Sequence, residues 1–270
     1  MEFIGYAAAI IMGISLGLVG GGGSILTVPI LVYLFKQDPL MATTGSLFVV
    51  GSTAFVGAVL NARKKLIDYK TGILFAIPSF IGVFAARHFI LPSIPNQIIS
   101  LGGFTLTKPL LVMGSFGIIM VLASKAMIRS GKETIQPTVD TNSDNANLIA
   151  IIWQGFLIGI VTGFVGAGGG FLIIPALVLL LKLPMKTAVG TSLAIIAANS
   201  IFGFTMSIGN LYFEWPLLLK IAAIGIFGIA IGQYYSSRVN EKLLKRGFGF
   251  FVLVIGSFVI LDQLFKLKNL

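Results

Sequence analysis

Residues 20–24 read Gly20-Gly21-Gly22-Gly23-Ser24, and residues 166–170 read Gly166-Ala167-Gly168-Gly169-Gly170. Each glycine run interrupts a long apolar stretch, residues 4–35 in one case and 148–181 in the other. An unbroken helix of about 32 residues would extend roughly 48 Å, well beyond a hydrocarbon layer of about 30 Å. The spacing predicts instead two half-helices joined by an unwound turn, the second ones over residues 25–35 and 171–181, each roughly 16 Å long. Pro29 and Pro175 follow Gly23 and Gly169 at the same distance and remove one backbone donor apiece, leaving the Ile25 and Phe171 carbonyls without a helical partner.

The two runs belong to a repeat. Shifting the sequence by 146 residues superposes Gly13, Gly17, Gly20, Gly22, Gly23 and Pro29 on Gly159, Gly163, Gly166, Gly168, Gly169 and Pro175. The register continues through Ser46-Leu47 on Ser192-Leu193, Gly57 on Gly203, Asp68-Tyr69 on Glu214-Trp215, and Gly82 on Gly228. It then slips by four residues, so that Gly114-Ser115-Phe116 faces Gly256-Ser257-Phe258. Apolar segments at 4–35, 41–60, 71–91 and 106–128 make up the first repeat, residues 1–128. Those at 148–181, 187–208, 216–236 and 247–265 make up the second, residues 148–270. Between them, residues 129–147 are a polar linker.

Of 270 residues, 56% are hydrophobic and 10% charged, and mean hydropathy is +1.00. So much apolar surface needs lipid as its solvent, and the 33 glycines suit helices that pack closely inside a bilayer. The net charge of +10 comes from Lys and Arg clustered between apolar runs, which sets topology and does not form a nucleic-acid stripe. With no cysteine and His88 alone, soft-metal, haem and iron–sulfur sites lack ligands; no cofactor and no metal are expected. The N-terminus has no basic region and no small-residue cleavage site, and is not expected to be a removable signal peptide.

Basic residues choose between two ways of threading eight segments. If all cross, Lys and Arg divide almost evenly. If both broken segments re-enter, one side collects Arg63, Lys64, Lys65, Lys70, Lys125, Arg129, Lys132, Lys182, Lys186, Arg238, Lys242, Lys245 and Arg246, thirteen of 19. The expected fold is therefore an all-α integral membrane protein of two inverted repeats. Each holds one broken, re-entrant helical hairpin and three transmembrane helices. The thirteen-residue side, with the linker, faces the cytoplasm, and both termini lie outside a multi-pass cell-membrane protein.

Irregular backbone at membrane depth is tolerated where it lines a cavity, and in inverted-repeat transporters broken helices meet at the substrate. Glycine lets successive backbone N–H groups converge on an anion at a half-helix N-terminus. The candidate binding residues are thus Gly22, Gly23 and Ser24 with Gly168, Gly169 and Gly170. Neutral donors nearby in the repeat add Thr44 and Ser46, with Thr191, Ser192 and Asn199. The plainer readings are close packing for the glycines and bonds to their own helix for the hydroxyls. Arg87, whose counterpart is Gln233, reads as a snorkelling side chain, and Asp262 as an acid near an interface.

The glycine runs with their prolines, Ala42-Thr43-Thr44-Gly45-Ser46-Leu47 and Ala188-Val189-Gly190-Thr191-Ser192-Leu193 make the chain resemble the TauE/SafE sulfite-exporter family, also called the toluene sulfonate uptake permeases. The resemblance spans nearly the whole chain. It implies transport of sulfite, thiosulfate or sulfonates in either direction, with a small anion and the lipid bilayer as partners, and leaves a homo-oligomer possible. No paired carboxylates, nucleophile–base pair or metal ligands lie inside the apolar segments, so no catalytic residues and no enzyme activity are expected. The alternatives are a membrane assembly or interaction protein, and an anion channel without coupled transport.

Overall fold

The computed structural model describes residues 2–101, 104–130, 144–166, 169–179, 181, 183–210, 213–236 and 241–268. The first half comprises α1 (Glu2–Val19), α2 (Ser24–Pro29) continued by a π-helical turn (Ile30–Leu34), α3 (Pro39–Arg63) and α4 (Tyr69–Phe84). A second π turn (Ala85–Ile90) and the short α5 (Leu91–Ser93) extend α4. A β-hairpin of β1 (Gln97–Leu101) and β2 (Phe104–Thr107) precedes α6 (Lys108–Ser130). The second half comprises α7 (Asp144–Val165), α8 (Gly170–Leu179), α9 (Met185–Thr205), α10 (Trp215–Tyr235) and α11 (Glu241–Lys268).

Local chemistry sets these boundaries. Asp38 caps α3 by accepting the N–H groups of Leu40 and Met41 at 2.9 and 3.3 Å, with Pro39 at the first helical position. Asp68 caps α4 through the Thr71 N–H at 3.1 Å. Pro29 cannot donate, and the helix widens after it: the Phe35 N–H reaches back five residues to Ile30. Among the described residues five helices are long and apolar enough to cross a membrane: Pro39–Arg63, Tyr69–Ser93, Lys108–Lys125, Met185–Thr205 and Trp215–Tyr235. Phe3–Val19, Ser24–Leu34, Ile151–Val165 and Gly249–Phe265 are shorter apolar helices.

Glycine governs how the helices meet. Gly5 lies against the Phe35 ring and Gly23 against Met12 and Leu16, so the Ser24–Leu34 half-helix runs back antiparallel beside α1. Gly13 abuts Gly225, and Gly17 abuts Gly232, which lays α1 parallel to α10. In the other half Gly155 abuts Phe75 and Pro78, and Gly163 abuts Val83 and Ala86, which lays α7 parallel to α4. Gly57 faces Leu193 and Gly203 faces Leu47, so α3 and α9 run antiparallel. Gly117 beside Val259 and Gly256 beside Met120 make α6 and α11 antiparallel too. Apart from α1 with its own half-helix, each of these helix pairs joins the two halves. Backbone-to-backbone approach of this kind is what drives association where lipid is as apolar as the side chains.

Phe55, Ile73, Ile81, Phe227 and Phe258 point outward and are exposed, an apolar exterior suited to lipid. Ser24, Thr27, Ser46, Thr53, Ser79, Thr191, Ser192 and Asn199 are fully buried, so polarity is concentrated inside. The structure adds the paired strands β1 and β2 between the expected segments 71–91 and 106–128, with β2 taking the first two residues of the latter. It also starts α7 at Asp144, inside the expected linker, whose residues 131–143 lie outside the described residues.

Candidate functional site

α1 and α7 end in the same way. Gly20 and Gly166 both adopt φ +77°, a left-handed conformation that glycine reaches without a Cβ penalty. Their N–H groups close the last helical turn on Leu16 and Thr162, at 2.8 and 2.9 Å. The carbonyls of these two glycines are each caught by a serine of the opposite half. Ser192 Oγ lies 3.1 Å from the Gly20 carbonyl and 2.8 Å from that of Val189 in its own helix. Ser46 Oγ hydrogen-bonds the Gly166 carbonyl and lies 2.8 Å from that of Thr43. In a trans peptide the carbonyl and the following N–H point opposite ways, so Ser192 aims the Gly21 amide away from itself.

The backbone also brings the two runs together. Gly21 and Gly170 lie in contact, each leaving no room for a side chain on the other. Gly20 packs on Val189 and Gly166 on Thr43, positions equivalent under the repeat. Gly22 is buried, and Gly23 precedes α2 with its α-carbon pressed on the Met12 carbonyl. Ser24 turns its hydroxyl back to the Gly21 carbonyl at 2.8 Å. Gly169 adopts φ +65°, accepts the N–H groups of Leu172 and Ile173, and lies against Thr162, whose buried hydroxyl has no hydrogen-bond partner among the described residues. Gly168 lies outside the described residues.

The other three expected residues engage α4. Thr191 Oγ1 accepts the Asp68 N–H at 2.9 Å, where α4 begins. Asn199 Nδ2 donates to Ser79 Oγ at 2.6 Å, and its Oδ1 is buried without a partner among the described residues. Thr44 Oγ1 accepts from Arg87 Nη1 at 2.8 Å, while its own hydroxyl returns to the Leu40 carbonyl at 3.2 Å.

Arg87 was read from the sequence as snorkelling. The structure turns its head toward α3, with Nη2 3.4 Å from the Thr43 carbonyl and Nε buried without a partner among the described residues. At the equivalent place in the second half, Gln233 Nε2 donates to the Gly57 carbonyl at 2.9 Å. Asp262 is likewise engaged: Tyr33, on the half-helix, donates to it at 3.0 Å, and Gln263 at 2.9 Å. Neither long-range partnership is encoded in spacing along one helix. Asp68, outside the spans, is held below the usual carboxylate range by hydrogen bonds from the Thr71 hydroxyl at 2.7 Å and the Thr71 N–H. Two apolar grooves of ≈ 230 and ≈ 240 Å³ lie on the α1–α11 and α4–α9 sides and contain none of the expected site residues.

A family model described as "Sulfite exporter TauE/SafE" matches residues 5–259. A "Probable membrane transporter protein" of Xylella fastidiosa is 28% identical over 93% of this chain and 91% of its own length. The "Probable membrane transporter protein YunE" of Bacillus subtilis is 26% identical over 97% and 99%. A "Probable membrane transporter protein" of Methanocaldococcus jannaschii is 28% identical over 93% and 92%. No solved structure matches the chain.

Proposed function

We infer that this chain, which belongs to the Sulfite exporter TauE/SafE family of membrane transporters, carries a small sulfur-containing anion: sulfite, thiosulfate or an organosulfonate. The observation that carries this reading is the reciprocal bonding of Ser192 to Gly20 and Ser46 to Gly166. Two glycine turns fixed by hydroxyls from opposite halves are a way to hold backbone amides toward a bound oxyanion without a fixed charge. The proposed binding residues are Gly22, Gly23, Ser24, Thr44, Ser46, Gly168, Gly169, Gly170, Thr191, Ser192 and Asn199.

The architecture we propose is a pair of inverted repeats, residues 1–128 and 148–270, each a re-entrant hairpin plus three crossings. Supporting it, α3 and α9 hold equivalent places in the two halves yet run antiparallel, as do α6 and α11. The return of Ser24–Leu34 alongside α1 supports re-entry. On this reading the linker is cytoplasmic and both termini are outside.

Titration of the detergent-purified protein with sulfite, thiosulfate, sulfoacetate and phosphate tests the substrate. Saturable binding of at least one sulfur anion, tighter than phosphate by tenfold or more, is expected. Binding of none of the three sulfur anions would overturn the assignment.

A further inference from the structure

We propose that Arg87 recognises the anion's charge, and that it does so beside one of the two glycine turns only; this rests on the anion-transport reading above. The side chain leaves α4 within the Tyr69–Ser93 span, and its head meets α3 at two buried threonines. Its acceptors are the Thr44 hydroxyl and the Thr43 carbonyl, both neutral, and among the described residues no carboxylate pairs with it. A guanidinium held among neutral groups keeps a full positive charge uncompensated, and its partial removal from water makes that costly unless an anion arrives. Two of its nitrogens are engaged, Nε has no partner among the described residues, and the planar fork of donors matches an oxyanion's oxygens.

Placement ties this charge to the second glycine turn. The Thr43 backbone that Nη2 reaches is the surface on which Gly166 packs, and Ser46, three residues on, holds the Gly166 carbonyl. Guanidinium, hydroxyl and turn therefore share one stretch of α3, residues 43–46. Under the repeat the first turn has the same neighbours, Val189 for Thr43 and Ser192 for Ser46. It has Gln233 where the second has Arg87, and Gln233 bonds Gly57 instead. The two turns are thus each held by a hydroxyl but differ by one neighbouring charge. An anion is bound at the Gly166 turn by charge plus dipoles, and at the Gly20 turn by dipoles alone.

The test uses the full chain in proteoliposomes and in detergent, with thiosulfate and phosphate as probes. Arg87→Gln should raise the thiosulfate Kd and the counterflow KM by tenfold or more, with kcat less affected. Arg87→Lys should recover part of the affinity, because it keeps charge without the fork. Thr44→Val, nearly isosteric, should weaken binding a few-fold, and carries the test if Arg87→Gln fails to insert. Gln233→Met should stay within about twofold of the parent. Parent-like Kd in Arg87→Gln, or in Thr44→Val where Arg87→Gln fails to insert, overturns the proposal while leaving thiosulfate transport standing. Equal losses at Arg87 and Gln233 overturn its one-sidedness. Phosphate binding that depends on Arg87, with no thiosulfate binding, would sustain the Arg87 site and sink the sulfur-anion assignment.

Discussion

Ser192, in the second half, donates its hydroxyl to the carbonyl of Gly20, in the first, at 3.1 Å, and the repeat-related Ser46 and Gly166 make the same bond. Each turn is therefore held by the half to which it does not belong. One interhelical hydrogen bond in a membrane protein is worth about 0.6 kcal/mol and at most about 1.7. Ser192→Ala and Ser46→Ala should thus shift thermal unfolding only slightly while cutting transport at least tenfold, because the peptide planes lose their orientation. Equal, small losses in both assays would make the serines ordinary packing residues.

Gly23, besides its proposed place at the anion, has a packing task. A side chain there collides with the Met12 carbonyl and with Leu16 of α1. Gly23→Val should therefore unseat the half-helix and lower the yield of monodisperse protein, in addition to abolishing transport. Gly114→Ala, where no atom lies within 4 Å of the added carbon, should be silent in both size-exclusion and unfolding assays. A well-folded, transport-dead Gly23→Val would leave Gly23 the binding role without the packing one.

Much of this was legible in the sequence, and the parts that were not have a common cause. The helix breaks at Gly20 and Gly166 could be read because they recur at one spacing within stretches too long for a bilayer. The serines could be named because they keep the same register. The inward turn of Arg87 and the Tyr33–Asp262 bond could not, since each is decided by a partner on a helix far away in sequence. Position along one helix gives depth, and depth alone made both look interfacial. The β-hairpin Gln97–Thr107 was missed because its short alternating strands lie between apolar helices and carry little signal of their own.

Asp68 gives the fold a predictable acid response. Its folded carboxyl is held below the usual range by Thr71, so its stabilising contribution is present above the unfolded value of about 3.9. That contribution is lost as pH falls through the lower folded value. Unfolding temperature measured from pH 7 downward should fall less steeply below pH 4 in Asp68→Asn than in the parent. Identical slopes would mean that the Thr71 bonds do not distinguish the two protonation states.

The proposed inverted arrangement makes a sided prediction. The chain has no cysteine, so single cysteines at Asn142 and Asn210 report without background. An impermeant thiol reagent should label them from opposite faces of the membrane. Labelling of both from one face would contradict the odd number of crossings per half.

The most direct measurement is thiosulfate efflux from proteoliposomes clamped at set potentials, with pH followed on both sides. An inside-negative potential is worth about 2.3 kcal/mol per charge per 100 mV. A dianion gains roughly 4.6 kcal/mol, more than a thousandfold in concentration ratio. The account predicts voltage-driven efflux that is lost in the Ser46→Ala, Ser192→Ala double variant and proceeds without matching proton movement. Efflux no faster than from empty liposomes for sulfite, thiosulfate and sulfoacetate alike would contradict it. Strict proton–thiosulfate stoichiometry abolished by Asp262→Asn would contradict the charge-only pathway and assign coupling to the acid that Tyr33 holds.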